Sequence, residues 1–306
     1  MAYTWGIAPY QQPVLIYNPA AGKLRRNPER ILQRTIEALR RASLNPRLAP
    51  TSAPGDATTI ARDSIAQGAD LVLALGGDGT INEVLNGMVH SNATLGILPA
   101  GTANVLAMEL GLGSRLDRAI ERLSRSTERR VAVGKLVRSH EEPRYFLTMA
   151  GAGLDAKIVY DLNPALKARA GKLAYWLAGF AHVTERVGNF NTLINGDIYR
   201  CGFALASRVR NYGGDLEIAS GASLNHDDFE VVLFEGSNPL RYMWYMLGVG
   251  LRRVQTMKGV HTVRTGCVEM TGDVHLQADG EYAGRLPARF EIVPQAITLL
   301  MPPSYK

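Results

Sequence analysis

The sequence predicts two domains: a doubly wound α/β domain over residues 1–130 and a second, mainly β domain over residues 131–295. Two observations predict them. Apolar runs alternate with helical patterns before residue 130, and short strand-like runs with few long helices follow it. The chain has 306 residues, which suits two domains of roughly 100–200 residues each.

The first domain alternates short apolar runs with amphipathic patterns. The predicted strands are Val14–Tyr17, Leu71–Leu75 and Leu95–Leu98, and the predicted helices cover residues 28–42, 57–67, 81–88 and 103–110. A continuous apolar strand such as Leu71–Leu75 is typical of a parallel sheet covered on both faces. In such a sheet, ligands bind at the carboxyl ends of the strands.

The second domain is predicted mainly from short strands. They lie at 144–150, 202–207, 230–234, 274–278, 289–293 and 297–301. Val274–Ala278 alternates strictly between apolar and polar residues, which indicates a strand with one buried face. Two helices are predicted to interrupt these strands, at Ala165–Arg186 and Pro239–Gln255.

Composition narrows the class of protein. The chain is 46% apolar and 20% charged, as in ordinary globular proteins. Its two cysteines, Cys201 and Cys267, provide neither a disulfide framework nor a cysteine-rich zinc site. No apolar stretch reaches the roughly 20 residues of a membrane span, and the N-terminus shows no secretory signal. We therefore expect a cytoplasmic protein.

Positive charge is concentrated in one segment. Between Lys23 and Arg47 there are eight basic and two acidic residues, a local charge of +6 that equals the net charge of the whole chain. Such a segment can face anionic ligands, an anionic membrane or nucleic acid, or it can be a solvated helix face. It contains no aromatic residues on which bases could stack, so we expect no nucleic-acid partner.

Three glycine-bearing loops follow three predicted strands of the first domain. They are Asn18–Lys23, Gly76–Glu83 and Pro99–Asn104. Phosphate groups are bound by backbone N–H groups at close approach, which glycine permits, and by helix N-termini. The second loop has both features, because Thr80 and Glu83 have the spacing of a capping box, with Thr80 predicted as the N-cap. The loops predict a phosphate-binding site at one edge of the sheet.

Two better-known nucleotide motifs do not explain these loops. Lys23 lacks the upstream glycine and the following Ser or Thr of a P-loop. Residues 151–156 (Gly-Ala-Gly-Leu-Asp-Ala) match a dinucleotide fingerprint in spacing. They lie in the β-rich half, however, without an acidic residue at the required distance, and we interpret them as a tight turn.

In these motifs the sequence resembles the bacterial branch of the diacylglycerol kinase catalytic-domain family. The members of this family are related to sphingosine kinases and, more distantly, to NAD kinases. The resemblance depends on four ordered motifs that span nearly the whole chain: residues 18–23, 76–87, 98–104 and 276–287. It implies a Rossmann-like first domain and a C-terminal β sandwich, with ATP bound between them. It also implies that residues 296–306 return as a strand to the first domain.

The resemblance implies which residues bind the nucleotide. They are Asn18, Pro19, Ala20, Ala21, Gly22, Lys23, Thr51, Gly76, Gly77, Asp78, Gly79, Thr80, Ile81, Asn82, Glu83, Gly101, Thr102 and Asn104. Lys23, with Arg25 and Arg26 nearby, would neutralise phosphate charge. Asp78 would bind the catalytic Mg²⁺ together with the triphosphate, because this hard cation prefers carboxylate and phosphate oxygens.

Two carboxylates are candidates for the base. Asp279 and Glu281 flank Gly280 at the end of the alternating strand. From the segment alone, a solvated turn explains them well. The resemblance instead implies a catalytic role, with Glu281 as the first choice for accepting the hydroxyl proton and Asp279 as its rival.

The sequence departs from the family pattern at two places. Many relatives have Asp after the Asn of the third loop, whereas Val105 follows Asn104 here. Some relatives also hold a structural Mg²⁺ in a loop of the second domain. The corresponding positions are Ser223, His226 and Asp228, and His226 stands where an aspartate is expected. Histidine is a poor Mg²⁺ ligand, which counts against this second metal site.

A lipid acceptor needs an apolar slot near a membrane surface. Candidates are the aromatic and methionine-rich residues Tyr175, Trp176, Leu177, Phe180 and the stretch Tyr242–Leu247, which are equally suited to a core. Basic residues at 23–47 or Arg252 and Arg253 would assist peripheral contact with a membrane. Pairing of two second domains into a homodimer is left open.

The function predicted from the resemblance is transfer of phosphate from ATP to a lipid alcohol, with diacylglycerol as the first choice. Two alternatives remain. An enzyme like NAD kinase, or one acting on a sphingoid or other lipid alcohol, would use a different acceptor. A non-catalytic nucleotide-binding regulator would fit Val105 and His226, although the retained loop glycines and Glu281 count against it.

Overall fold

The computed structural model describes residues 10–154, 156, 188–213 and 216–305, and the chain forms two units. The first comprises Met1–Val133 with Pro294–Lys306, and the second comprises Gly134–Val293. The predicted helix Ala165–Arg186, with Tyr175, Trp176, Leu177 and Phe180, lies outside the described residues, as does Asp155. No helix in the described part of the chain combines the length and apolar character needed to cross a membrane.

The first unit contains a parallel sheet. Its strands are β1 (Pro13–Tyr17), β2 (Arg47–Pro50), β3 (Leu71–Gly76) and β4 (Thr94–Pro99). They are ordered β2-β1-β3-β4, and every pairing is parallel. Strands β3 and β4 are buried along their whole length. This agrees with the continuous apolar runs of the sequence, and the predicted α/β fold class is confirmed.

In the described residues of the first unit, five α-helices accompany this sheet. They are α1 (Pro28–Arg41), α2 (Asp56–Ala66), α3 (Asp78–Met88), α4 (Val105–Glu109) and α5 (Leu116–Leu123). Helix α1 is capped by Asn27, whose side chain accepts a hydrogen bond from the N–H of Arg30 at 3.3 Å. It buries Thr35 and Leu39 and exposes its arginines. Much of the basic segment is therefore a solvated helix face.

The second unit is built from antiparallel strands. In chain order they are β5 (Thr127–Val137, which begins in the first unit), β6 (Arg144–Phe146), β7 (Met149–Gly153), β8 (Phe190–Ile194), β9 (Asp197–Cys201), β10 (Phe203–Ser207), β11 (Asn211–Gly213), β12 (Leu216–Glu217), β13 (Phe229–Phe234), β14 (Val260–Thr265), β15 (Cys267–Thr271), β16 (His275–Ala278), β17 (Glu281–Arg285) and β18 (Ala288–Met301). One sheet has the order β14-β13-β10-β7-β16-β17, and β9, β8, β15 and β18 pair consecutively in another.

An aromatic core fills the second unit. Phe146 stacks on Phe229 with ring centroids 5.6 Å apart and meets Phe290 edge to face at 6.3 Å. These residues come from β6, β13 and β18, so the cluster joins strands of both sheets. Helix α6 (Pro239–Gly250) follows β13. The predicted mainly β second domain is confirmed as an antiparallel, sandwich-like fold.

Several predicted element boundaries are wrong. Residues 144–150 form parts of two strands, β6 and β7, because the chain turns between Phe146 and Met149. The two strands predicted at 289–293 and 297–301 are one strand, β18. Its two parts have different partners: Val268 of β15 pairs with Phe290, whereas Leu95 of β4 pairs with Leu299.

The dinucleotide-like motif is part of a strand rather than a turn. Gly151 and Gly153 belong to β7, which is paired on both sides by β10 and β16. A Cβ atom on Gly153 would lie 2.1 Å from the carbonyl oxygen of Gly202, so glycine is required by the close approach of a neighbouring backbone. A strand hydrogen-bonded on both sides cannot form the turn that a dinucleotide phosphate needs.

Candidate active site

The three glycine-bearing loops meet at one edge of the parallel sheet. They follow β1, β3 and β4, whose carboxyl ends lie side by side. A Cβ atom on Gly101 would lie only 2.5 Å from the Cα of Gly77, so the second and third loops touch backbone to backbone. A Cβ on Gly22 would lie 3.7 Å from the carbonyl oxygen of Ala100, which places the first loop beside the third.

Backbone hydrogen bonds fix this arrangement. The N–H of Asn18 donates to the carbonyl of Leu75 at 3.1 Å, and the N–H of Lys23 donates to the carbonyl of Ala100 at 3.0 Å. Within the first loop, the side-chain oxygen of Asn18 accepts from the N–H of Ala20 at 2.8 Å. Its amide donates to Thr80 Oγ1 at 3.4 Å. Asn18 thus connects the turn Pro19–Ala21 to helix α3.

Helix α3 begins three residues earlier than predicted. Its N-cap is Gly77, in extended conformation, and Asp78 is its first residue, so Thr80 is not the N-cap and the capping box does not form. Glu83 Oε2 instead accepts a hydrogen bond from the N–H of Ala57 at 3.2 Å. The physical reason is the packing at Gly76, where a Cβ would lie 2.5 Å from that of Thr80. Without a side chain at Gly76, Thr80 is buried in the first turn.

Asp78 connects the second loop to the third. Its Oδ2 accepts from the N–H of Asn104 at 3.0 Å, and its Oδ1 accepts from the N–H of Val105 at 2.7 Å. A carboxylate that accepts two backbone N–H groups is fixed in position. Asp78 therefore orients the start of α4, a role that the sequence did not indicate.

Asn104 shapes the third loop from inside. It is buried, with its side-chain oxygen accepting from the N–H of Gly101 at 2.8 Å and its amide donating to the Gly101 carbonyl at 2.9 Å. Its φ angle is +50°, in the left-handed region that asparagine tolerates better than most residues. The neighbouring Thr102 is exposed at the tip of the loop.

Other predicted nucleotide-binding residues have structural positions. Ile81 and Asn82 are buried within α3. Gly79 lies half-buried in its first turn. Thr51 follows β2 and donates its N–H to the carbonyl of Tyr17 at 2.9 Å. The N–H of Ile81 donates to the carbonyl of Gly77 at 3.1 Å, so this residue contributes to the first turn of the helix.

Lys23 binds the protein itself. Its ammonium group donates to the carbonyl of Pro99 at 3.1 Å and also to the carbonyl of Ser114. Partial burial lowers the pKa of this amine below its ordinary value. The predicted role in neutralising phosphate charge is therefore not the one this geometry favours, because the ammonium group joins the first loop to the third.

In the second unit, Asp279 is a buried anchor. Its Oδ1 accepts from the N–H of Thr148 at 2.8 Å, the hydroxyl of Thr148 at 2.5 Å and the N–H of Met149 at 3.1 Å. Its Oδ2 accepts from the N–H of Leu147 at 2.9 Å. Four donors surround the carboxylate. This favours a role in holding the hairpin of β16 and β17 against β7 over a role as a base.

Glu281 stands at the surface, directly after that anchor. Asp279 and Gly280 both have positive φ angles, +49° and +79°, and form the two-residue turn between Ala278 and Glu281. Such a turn is the tight hairpin type for which Asp-Gly is well suited. Because Asp279 is fixed, the first residue of β17 is fixed too, and the side chain of this residue is exposed.

The loop that corresponds to the family's structural-metal site binds an arginine side chain. Arg208, fully buried after β10, donates to the carbonyls of His226 and Asp228, the latter at 3.0 Å, and to that of Leu224 at 3.5 Å. Backbone carbonyls of this kind are what a Mg²⁺ would need. Here they already accept hydrogen bonds from a cation.

The side chains of this loop are also occupied. Both carboxylate oxygens of Asp228 accept from Arg264, at 2.8 and 2.9 Å, and His226 Nδ1 lies 2.7 Å from the same guanidinium. The hydroxyl of Ser223 accepts from the N–H of Asn225 at 3.2 Å. The family metal positions Ser223, His226 and Asp228 therefore do not fit a Mg²⁺, as His226 already suggested, because two guanidinium groups supply the positive charge. Nothing in the Ser207–Arg210 sequence indicated that Arg208 is buried.

The stretch Tyr242–Leu247 divides between core and surface. Tyr242 and Tyr245 are buried, with their hydroxyls donating to the carbonyls of Gly236 at 2.9 Å and Gly259 at 3.2 Å. Met243, Trp244 and Leu247 are exposed. In the described residues, this stretch forms an outer helix face rather than the wall of an apolar slot.

Comparison with known proteins agrees with this geometry. The family model described as diacylglycerol kinase catalytic domain matches residues 12–136, which include all three glycine loops. The model described as YegS C-terminal NAD kinase beta sandwich-like domain matches residues 148–301, including the Asp279–Glu281 turn. Together they cover most of the chain.

Similar curated proteins extend over nearly the whole sequence. The chain is 29% identical to Diacylglycerol kinase of Bacillus subtilis (strain 168) over 303 residues, which is 94% of this chain and 95% of that protein. It is also 29% identical to Diacylglycerol kinase of Staphylococcus saprophyticus, covering 95% and 96%. A crystal structure of a diacylglycerol kinase from Bacillus anthracis (strain Sterne) superposes with a TM-score of 0.77 at 22% identity, covering 97% and 99% of the two chains.

The two matched domains, in this order, define a lipid kinase. The chain belongs to the family that these two models describe, with a diacylglycerol kinase catalytic domain over residues 12–136 and a YegS C-terminal NAD kinase beta sandwich-like domain over residues 148–301.

Proposed function

We propose that this chain transfers the γ-phosphoryl group of ATP to the hydroxyl of a lipid alcohol, with diacylglycerol as the acceptor. The observation that carries the proposal is the meeting of three glycine loops at one sheet edge, within the residues that match the kinase catalytic-domain model. The similar proteins named diacylglycerol kinase support the choice of acceptor.

The loops suit the binding of a triphosphate. Gly76 packs on Thr80 and Gly77 packs on Gly101, so neither position places a side chain at this edge of the sheet. Backbone N–H groups can therefore approach an anion there. Helix α3 starts at Asp78, and the positive end of its dipole lies at the same edge. Phosphoryl transfer depends chiefly on alignment and charge stabilisation, which rigid backbone donors provide.

We assign proton acceptance to Glu281. The acceptor hydroxyl must lose its proton as the new P–O bond forms and the bond to ADP breaks, and a carboxylate can take that proton. Asp279 is engaged by four donors, whereas Glu281 is exposed at the start of β17. In this assignment Asp279 is a positioning residue that acts through the hairpin turn.

ATP is expected to arrive with Mg²⁺, which would neutralise charge on the transferring phosphates. Such a cation is commonly held by one or two carboxylates together with substrate phosphates. Within the described part of the chain, no three or more His, Cys, Asp or Glu side chains are grouped as a metal cage. A site completed by the nucleotide, with Asp78 as its protein carboxylate, fits this finding.

A labelled-ATP assay tests the proposed reaction. The purified protein is incubated with Mg²⁺, γ-labelled ATP and detergent-dispersed diacylglycerol, and in parallel with sphingosine and with NAD. We expect label on diacylglycerol. Label on NAD alone would show an NAD kinase-like enzyme, and binding of ATP without transfer to any acceptor would show a regulator.

The base assignment has a matched pair of variants. Glu281→Gln removes the proposed base, and Glu142→Gln makes the same change at an exposed glutamate outside the candidate site. We expect Glu281→Gln to lower kcat by at least about 100-fold, the usual scale for a general base, and Glu142→Gln to leave it unchanged. Equal kcat values for both variants would exclude Glu281 as the base.

A further inference from the structure

Helix α6 carries a row of exposed apolar side chains. They occupy positions three and four residues apart, which fall on one face of a helix. Their exposed fractions are Leu240 72%, Met243 58%, Trp244 62% and Leu247 51%, and Leu251, the C-cap residue directly after the helix, continues the row at 63%. Single exposed apolar residues are normal, but a continuous row of five large ones marks an interaction surface.

The opposite face of α6 fixes how the helix lies. Tyr242 and Tyr245 are buried, and their hydroxyls donate to backbone carbonyls before and after the helix. Tyr245 also packs edge to face on Phe234, with ring centroids 5.3 Å apart. The helix therefore cannot turn its apolar row inward without breaking these contacts.

The segment that carries the row has charges of one sign only. Between Pro239 and Lys258 there are four basic residues and no acidic one. Arg252, Arg253 and Lys258 are exposed directly after the helix, next to the end of the apolar row. Arg241 is the exception, because it pairs with Glu235 at 3.7 Å. An apolar helix face flanked by cations is the pattern of a helix that lies in the plane of an anionic membrane surface.

We propose that the exposed face of α6, defined by Leu240, Met243, Trp244, Leu247 and Leu251, docks the protein on membranes that contain anionic lipids. The apolar side chains enter the boundary between headgroups and acyl chains, and the arginines contact lipid phosphates. A second copy of the chain is a poorer occupant, because a two-fold pairing would bring two identical sets of cations to one interface. The proposal rests on the proposed function only in that a lipid kinase needs access to membrane lipid.

Vesicle sedimentation tests the docking surface without ATP or diacylglycerol. Vesicles of phosphatidylcholine with phosphatidylglycerol are compared with vesicles of phosphatidylcholine alone. We expect the wild type to bind the anionic vesicles more tightly, with an affinity that falls as salt rises. Absence of binding, or equal binding to both vesicles, would overturn the proposal.

Matched variants locate the surface. Leu247→Glu places a charge in the row, whereas Ile198→Glu makes a similar change at an apolar residue of β9 that is 72% exposed. Burying a large apolar side chain strengthens binding by about 10- to 100-fold. Leu247→Glu should therefore weaken binding to the vesicles at least about tenfold. Ile198→Glu should not change it. Arg252→Gln should weaken binding to anionic vesicles more than Arg200→Gln, which removes an exposed charge from β9. Equal effects within either pair would overturn the proposal.

Trp244 offers an independent readout that needs no destabilising change. Vesicles with brominated acyl chains should quench wild-type tryptophan fluorescence, and the quenching should decrease in Trp244→Phe. Undiminished quenching in that variant would place the contact elsewhere. A dimer that dissociates in Leu247→Glu, without vesicle binding by the wild type, would assign the face to a second copy. Vesicle binding by a protein that phosphorylates no lipid would contradict the proposed function and leave the docking surface intact.

Discussion

The carboxylate of Asp78 accepts a hydrogen bond from the backbone N–H of Val105 at 2.7 Å. The side chain of Asp78 therefore joins the second glycine loop to the third, at the position where the sequence departs from relatives that have Asp. Since Val105 contributes only its N–H to this bond, the departure leaves the connection intact. The chain retains the loop geometry although position 105, which is Asp in those relatives, has no carboxylate.

Asp78→Asn tests this connection. One of the two N–H groups would face the new amide rather than an acceptor, and an unsatisfied buried donor costs about 1–3 kcal/mol. We expect the free energy of unfolding in urea to fall by that amount and KM for ATP to rise. Asp63→Asn, at an exposed position of α2, serves as the control. An unchanged KM for ATP would show that the loop connection does not affect nucleotide binding.

Gly76→Ala tests the packing of the second loop. Its Cβ would lie 2.5 Å from that of Thr80, so the first turn of α3 must move. Overpacking of this kind costs about 1–3 kcal/mol. Gly266→Ala is the matched control, because its added Cβ meets nothing within 4 Å. We expect calorimetric titration to show loss of ATP binding only in Gly76→Ala. Normal ATP binding by a folded Gly76→Ala protein would contradict the proposed phosphate cradle.

Asp279→Asn and Glu281→Gln should separate stability from catalysis. Asp279→Asn leaves at least one donor near the anchor unsatisfied and should lower the free energy of unfolding by about 1–3 kcal/mol. Glu281→Gln changes an exposed side chain and should alter the free energy of unfolding by less than about 0.5 kcal/mol. Its kcat should nevertheless fall strongly. The measurements are urea unfolding and steady-state kinetics on both variants. The reverse result, a stable but inactive Asp279→Asn, would make Asp279 the base.

Because Arg208 donates hydrogen bonds to the backbone carbonyls of the loop around His226, we predict that this loop needs no divalent cation. We expect EDTA and excess Mg²⁺ to give the same thermal unfolding midpoint for the nucleotide-free wild type. Arg208→Met should lower the free energy of unfolding by about 1–3 kcal/mol for each carbonyl left without a donor. Arg200→Met is the exposed control. A wild-type midpoint that falls in EDTA would show that the loop does hold a metal ion.

The burial of the Lys23 amine predicts how the free energy of unfolding depends on pH. Burial lowers its pKa in the folded state, so the unfolded chain binds this proton more tightly. Stability from this group is therefore present above the unfolded pKa of about 10.4 and is lost as pH falls through the lowered folded value. The free energy of unfolding of the wild type minus that of Lys23→Met should rise with pH on the alkaline side. A flat difference would show that the amine is not buried in solution.

The sequence predicted the parallel sheet and the three loops because their signals are local. Strand β3 is a continuous apolar run, and the glycines directly follow it. The roles of Asp279 and Arg208 could not be predicted, because their partners are far away in the chain. Thr148 lies 131 residues from Asp279. The capping box failed for a related reason: whether Thr80 caps α3 depends on how tightly it packs on Gly76, and spacing does not show that.

The sheet of the first unit is completed by a strand that comes late in the chain. Residues Thr298 and Leu299 of β18 pair with Thr94 and Leu95 of β4, although the whole second unit lies between them in the sequence. During synthesis on a ribosome, the edge of β4 therefore stays open until the second unit has been translated. The unpaired edge of an apolar strand exposes backbone N–H and C=O groups that can pair with a strand of another chain. Nascent chains of this protein should consequently depend on chaperones that shield β4, and truncations that remove β18 should aggregate rather than yield an isolated kinase domain.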